Sequence, residues 1–370
     1  MKKKVVSVIL AMTMVASMAM GCGNSSDTTT SDNSTTTTTT NDAAASTEAS
    51  DAADATADAA NGDLADKKVG VCIYQFADNF MTLFRGELEN YLVEQGFSKD
   101  NITIVDGAND QATQTAQIDN FITQGVDVMI VNPVNSSSAP TITDKVTSAD
   151  IPLVYINREP DEEEQKRWKD EGLKVTYVGA DARQSGTYQG ELILETETKG
   201  DINGDGVVSY IMIEGDPENV DAQYRTEYSV KALTDAGTKV KELDDEVANW
   251  DQAQAQEKVQ NALSKYPEAE VVFCNNDAMA LGALEAIKAA GKTVGKDIYL
   301  VGVDALADAL DKVEAGEMTG TVLNDHIAQS HGAADAAMDY LDGKDVDYKY
   351  VKDYVKVTKD NIADIKKSLG

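Results

Sequence analysis

Short apolar runs in this chain stop repeatedly at Asn or Asp: Asp78-Asn79-Phe80, Asn132, Asn157-Arg158, Asn275-Asn276-Asp277, Asp304 and Asn324. Carboxylates and carboxamides gathered at one end of a sheet supply the paired donors and acceptors that a polyhydroxylated ligand needs. In open parallel sheets ligands bind beyond the carboxyl ends of the strands. Taken singly, each Asn or Asp is also a good cap for the helix that follows a strand. Capping accounts less well for the repetition, and it does not account for the aromatics Phe80 and Trp250 beside these residues.

A second constellation runs from Asp201 to Ser209, as Asp201-Ile202-Asn203-Gly204-Asp205-Gly206-Val207-Val208-Ser209. It matches positions one to nine of a calcium loop, with side-chain oxygens from Asp201, Asn203 and Asp205, the turn at Gly206, the carbonyl of Val207, and Ser209 as the ninth residue. The twelfth position is Met212, which has no oxygen to offer. The loop is therefore not a complete EF-hand, and a bidentate carboxylate must arrive from elsewhere in the chain. The competing reading is an Asx-rich turn that binds no metal.

Other chemistries find no seat. There is no G-x-x-x-x-G-K-[ST] loop for nucleotide phosphates and no G-x-G-x-x-G after a strand. Cys72 and Cys274 stand singly in apolar runs and read as small core residues. His326 and His331 are five apart, a spacing that suits neither a zinc helix nor a nucleophile's base. Acidic runs such as Asp161-Glu162-Glu163-Glu164 read as solvated surface in so acidic a chain, so no catalytic assignment follows and no enzyme is expected.

The elements that would position these residues alternate. Strands are predicted at Lys68 to Gln75, Ile102 to Asp106, Val126 to Asn132, Leu153 to Asn157, Val175 to Gly179, Val207 to Glu214, Lys239 to Leu243, Val271 to Asn275, Tyr299 to Val303 and Gly320 to Leu323. Between them apolar residues recur at helical spacing, as in Phe80, Leu83, Phe84, Leu88, Tyr91 and Leu92. Strand and helix in alternation predict an α/β fold with parallel sheets and right-handed crossovers, and the length predicts two such sheets. The chain has 370 residues, with 32 Lys and Arg against 64 Asp and Glu, a formal charge of −32. A field of that sign opposes nucleic-acid binding, which depends on neutralising phosphates.

The first 66 residues stand apart. Lys2, Lys3 and Lys4 precede an apolar run from Val5 to Met20 that ends at Gly21-Cys22, the pattern of an export signal and too short for an ordinary membrane span. The small residue before Cys22 resembles a bacterial lipoprotein junction, which implies cleavage before Cys22 and lipid on its thiol. From Gly23 to Asp66 the composition is dominated by Thr, Ser, Ala, Asn and Asp, without aromatics, proline, Lys or Arg. Such a segment cannot bury enough apolar surface to order itself and reads as a tether.

Taken together, the motifs resemble the galactose/glucose-binding members of the two-lobed sugar-binding proteins that feed ABC importers. The runs that carry the likeness are Ala77-Asp78-Asn79-Phe80-Met81, Gly215-Asp216-Pro217 leading to Asp221 and Arg225, Asn249-Trp250-Asp251, Cys274 to Ala280, Gly302 to Leu306, and Gly320 to Asp325. The resemblance implies two Rossmann-like lobes joined by a three-strand hinge, the type I periplasmic binding protein architecture, with a sugar stacked between Phe80 and Trp250. Its polar edge would meet Asp78, Asn132, Asn219, Asp221, Arg225, Asn276, Asp304 and Asn324, with Asn219 where the family has a histidine. A bound Ca2+ would take Asp201, Asn203, Asp205, Val207 and Ser209, closed by the distant carboxylate of Glu270.

The same resemblance divides the chain into a signal peptide (1–21), a lipidated Cys22 and tether (22–66), an N-terminal lobe (67–150 plus 326–350) and a C-terminal lobe (151–323 plus 353–370). The crossings would fall near Asp150 to Pro152, Leu323 to His326 and Tyr350 to Asp353. The implied function is capture of galactose or glucose and delivery to an ABC permease, by a monomer held at the outer face of the cell membrane through lipid alone. A sugar sensor serving a membrane receptor, and more remotely a secreted sugar-processing enzyme, are the alternatives on the same cleft.

Overall fold

A computed structural model describes residues 64–370, so the export segment, Cys22 and nearly all of the tether lie outside the described residues. The apolar runs become strands because both faces of each sheet are covered. Successive side chains of a strand point to opposite faces, so a doubly covered strand must be apolar throughout. Val69–Ile73 is buried at every position.

The first sheet is built in chain order from β1 (Val69–Ile73), α1 (Asn79–Glu94), β2 (Ile102–Asp106), α2 (Gln111–Gln124), β3 (Val128–Val131), α3 (Ala139–Ser148), β4 (Leu153–Ile156), α4 (Glu162–Glu171) and β5 (Val175–Ala180). A late strand, β11 (Lys349–Lys352), completes it, and the order is β11-β5-β4-β3-β1-β2, parallel throughout. On one face Val71, Ile73, Ile130, Val154 and Ile156 pack on Phe84 and Leu88 of α1 and on Ala333 and Ala337 of a late helix, α10 (His326–Leu341). On the other face Cys72, Met129, Val131 and Tyr155 meet Ile118 and Phe121 of α2, Ile142 of α3 and Trp168 of α4. Gly70 is required here, because a Cβ would stand 2.8 Å from the Phe121 ring.

The second sheet follows from α5 (Ala182–Leu194), β6 (Val207–Glu214), α6 (Val220–Asp235), β7 (Lys239–Val247), α7 (Gln252–Lys265), β8 (Val271–Cys274), α8 (Asp277–Ala289), β9 (Tyr299–Val301), α9 (Ala307–Ala315) and β10 (Thr321–Leu323). Its parallel order is β7-β6-β8-β9. Bridges Val301–Gly320 and Asp304–Leu323 bring β10 alongside. On its last return the chain adds β12 (Val355–Val357), antiparallel to β10, and α11 (Ile362–Leu369).

The chain passes between the sheets after Ala180, between Leu323 and His326, and between Lys352 and Val355. The first crossing corrects the expected one at Asp150 to Pro152. Leu153 pairs with Met129 and Val175 with Leu153, so β4 and β5 extend the first sheet and that lobe runs to residue 180. Pro152 leads directly into β4 instead of a hinge, its carbonyl accepting from Met129 N. A second correction concerns the Asp161 to Glu164 run. It opens α4, and Glu164 is buried, accepting from Arg167 Nε and from Trp168 Nε1 at 2.8 and 2.6 Å.

Candidate ligand-binding site

The carboxyl ends of both sheets face one cavity between the lobes. From the first lobe its wall takes Tyr74, Asp78, Phe80, Asn157 and Arg158. From the second it takes Asn219, Asp221, Arg225, Trp250, Asn276 and Asp304, and Asn324 lies on the crossing between them. Nine of the ten expected sugar-site residues thus meet at one place, all except Asn132.

The exception has a physical cause. Asn132 is fully buried one layer below, where its Oδ1 accepts from Tyr74 N and its Nδ2 donates to Ile156 O and to Asn157 Oδ1 at 3.1 Å. It is a positioning residue for Asn157, which sits at φ +59, a backbone state that Asn tolerates better than most. Asn157, Arg158 and Tyr74 were not assigned from sequence. The first two were visible as a polar pair at the end of β4, whereas nothing in the sequence marks Tyr74.

Three of the seven amides and carboxylates in the wall also cap helices. Asp78 Oδ1 accepts from Met81 N at 2.7 Å and its Oδ2 from Tyr74 OH at 2.7 Å. Asn219 Oδ1 accepts from Asp221 N, and Asn276 Oδ1 from Met279 N, both at 2.9 Å. Each of these two asparagines has therefore committed its carbonyl to a helix and keeps its NH2 for the cavity. Asn324 is more fully used, donating to Asp304 Oδ1 at 3.3 Å and accepting from Gln329 Nε2 at 2.6 Å.

Two guanidinium groups supply the strongest donors. Arg225 donates to Asn275 O at 2.8 Å and to Tyr354 OH at 3.1 Å, and stands 4.0 Å from both Asp221 and Asp304. Arg158 lies over the Tyr74 ring at 3.8 Å. Arg158 Nε and Nη2, Arg225 Nε and Trp250 Nε1 are buried without a partner among the described residues. Buried donors are rarely left so, and here they line a space that a ligand would fill. Burial pushes the Asp221 carboxyl up to about 6 against the opposing pull of Arg225. Burial likewise raises Asp304 well above the usual carboxylate range.

The wall also carries backbone strain. Asp304 and Ala305 have φ of +122 and +56, and Asn249 and Trp250 have φ of +50 and +66. Left-handed backbone at non-glycine residues costs free energy and clusters where a side chain must be aimed. Phe80, in the first turn of α1, is buried against Phe84 and edge-on to His326.

Away from the cavity, the Asp201 loop folds on its own side chains. Asp201 accepts from the amides of Gly204, Asp205 and Gly206, and Asp205 accepts from Val207 N. Glu270, just before β8, reaches the loop, accepting from Asn203 N and from Ser209 N and Oγ, each at 2.9 Å. The distant carboxylate therefore does meet the loop, and the donor set is all oxygen. Among the described residues no three acidic, His or Cys side chains close around a common point, because these carboxylates turn toward backbone N–H groups.

Comparison with known proteins matches residues 69–345 to the periplasmic binding protein domain family. The chain is 36% identical over 317 residues to the D-galactose/methyl-galactoside binding periplasmic protein of Haemophilus influenzae, an alignment spanning 82% of this chain and 93% of that protein. It is 28% identical over 278 residues to the ribose import binding protein of Bacillus subtilis, spanning 75% and 83%. Among solved structures, an ABC transporter solute binding protein from Bacillus halodurans with bound myo-inositol superimposes with a TM-score of 0.72 at 28% identity, over 83% of this chain and 99% of that one.

Proposed function

Because the chain belongs to the periplasmic binding protein family, a family of solute-binding proteins and not of enzymes, we propose that it captures D-galactose or D-glucose between its lobes and delivers it to an ABC importer. The observation that carries this reading is the composition of the cavity wall. Both lobes contribute, with an aromatic ring from each and unpartnered donors facing carboxylates. A pyranose has apolar C–H faces for Phe80 and Trp250, and a rim of hydroxyls that each donate once and accept twice. Arg225, Trp250, Asn219 and Asn276 would donate to that rim, while Asp78, Asp221 and Asp304 would accept from it.

Closure follows as a population shift, since only the closed state lets one ligand touch both lobes. Two further features of the reading lie outside the cavity. The Asp201 loop would hold Ca2+ through Asp201, Asn203, Asp205, the Val207 carbonyl, Ser209 and Glu270, serving stability rather than ligand capture. Lipid on Cys22 would keep the protein at the outer membrane face.

Thermal unfolding with D-glucose, D-galactose, D-ribose and myo-inositol tests the ligand. A ligand at 100 times its dissociation constant adds about 2.7 kcal/mol to stability. The expected result is a rise in Tm with one or both hexoses and none with ribose. A rise with ribose or myo-inositol alone would overturn the hexose assignment.

A further inference from the structure

The loop between β6 and α6, Gly215 to Asn219, touches the first lobe at two places through Asp216 and Glu218, neither of which lines the cavity. Arg158 Nη1 donates to Asp216 Oδ2 across the interlobe gap at 3.2 Å. Asn135 Nδ2 donates to Glu218 Oε2 at 3.1 Å. Arg158 is held rigidly on its own side, stacked over Tyr74 and donating to the carbonyl of Val134, and it is only 2% exposed while Asp216 is 22% exposed. The loop is equally fixed on the other side. Asp216 Oδ1 accepts from Glu218 N, Gly215 N donates to Asn275 Oδ1, and a Cβ on Gly215 would lie 2.2 Å from the Trp250 ring. Gly215 is thus the residue that lets this loop press on the aromatic face of the cavity.

We propose that Asp216 and Glu218 form a latch that holds the lobes closed, making them affinity-determining positioning residues that never touch the ligand. The inference rests on the closure reading above. Its physical basis is that Arg158 is desolvated in the closed state and, among the described residues, makes its ion pair across the lobes with Asp216. Removing that carboxylate leaves a buried cation short of its partner, a larger loss than an exposed ion pair would show. Because Gly215 to Asn219 also carries Asn219 and seats Trp250, the latch and the second-lobe half of the cavity move as one body. The latch acts only when the lobes meet, so its loss must appear in the rate of ligand release and in the closed fraction of the free protein.

The test uses Asp216→Asn and the pair Asn135→Ala and Glu218→Ala, singly and combined. In each, D-glucose and D-galactose binding is followed by calorimetry and stopped-flow fluorescence, and Tm is measured without sugar. The expected result is a roughly tenfold higher Kd for Asp216→Asn, carried by faster release with unchanged association. Non-additive effects are expected in the Asn135/Glu218 cycle, and the ligand-free Tm should stay within about 2 °C of the parent. A Kd within twofold of the parent for Asp216→Asn overturns the latch, as does a loss of Tm that scales with the loss of affinity.

If neither hexose binds the parent protein, the function proposed above fails while the latch remains testable. The chain has two tryptophans, and Trp168 is buried within the first lobe, so acrylamide quenching reports the exposure of Trp250. Quenching must then rise in ligand-free Asp216→Asn, and equal quenching overturns the proposal.

Discussion

Trp250→Ala is the sharpest probe of the cavity. A Trp side chain buries about 200 Å2 in a full contact, and a ligand stacked on one face would cover about half of that. At about 25 cal/mol per Å2 this is worth about 2.5 kcal/mol. Trp250 Nε1 is buried with no partner among the described residues, so a ligand hydroxyl that accepts from it adds about 1 kcal/mol. The sum, about 3.5 kcal/mol, corresponds to a loss of roughly 300-fold in affinity. The fold should tolerate the change, because Trp250 is half-buried at the cavity wall and alanine adopts its φ of +66 no worse than tryptophan does. Trp250→Phe separates the two contributions: it restores the face without the N–H and should lie within about tenfold of the parent. Calorimetric titration with D-glucose and D-galactose, with urea unfolding as the control, reads both. An Ala variant that unfolds normally and binds within threefold of the parent would refute the stacking argument.

Asp221→Asn should stabilise the ligand-free protein while weakening ligand capture. Its carboxyl is raised to about 6, so the folded state binds a proton more readily than the unfolded state, where the group titrates near 3.9. The ionised buried form is therefore a cost that is full above pH 6 and vanishes as pH falls toward 4. The Asn variant should gain on the order of 2 kcal/mol at pH 7 by urea unfolding, with the gain shrinking by pH 5. A gain that is constant with pH would contradict this. For the Asp201 loop, a chelator should lower the parent's Tm by several degrees and leave the Tm of Asp201→Ala unchanged. Equal Tm values for the parent with and without chelator would exclude a structural Ca2+.

The α/β alternation was legible because both faces of each sheet are covered, which forces continuous apolar runs at β1, β3, β4 and β8. The strands that escaped notice, β11 and β12, are short and half-exposed, and lysines interrupt them. The lobe boundary was misplaced because the resemblance alone put a crossing at Asp150 to Pro152, whereas strand pairing across 20 or more residues decides membership of a sheet. Glu164 was misread for a related reason: an acidic run looks solvated until a buried Trp168 demands an acceptor for its indole N–H. Asn132 shares its type and position with the true wall residues, and only the depth of β3 tells it apart.

The ambiguity between capping and ligand binding at the strand ends dissolves once individual atoms are assigned. Asn219 and Asn276 cap α6 and α8 through Oδ1, and that same bond orients the NH2 group toward the cavity. A carboxamide that could donate or accept is thereby converted into a donor alone, without cost to the helix. Asn157 is fixed in the same sense by Asn132, whose Nδ2 occupies its oxygen. Acceptance from the ligand then falls to the three aspartates, Asp78, Asp221 and Asp304. Asp78 is already engaged at both oxygens, by Met81 N and by Tyr74 OH. Asp221 and Asp304, the two whose burial raises their pKa, are left as the acceptors with the most to gain from a hydroxyl. Selectivity among polyols should accordingly be decided on the second lobe, by which ligand places two hydroxyls opposite these carboxylates. The first lobe, through Phe80, supplies a face that any pyranose or cyclitol can use.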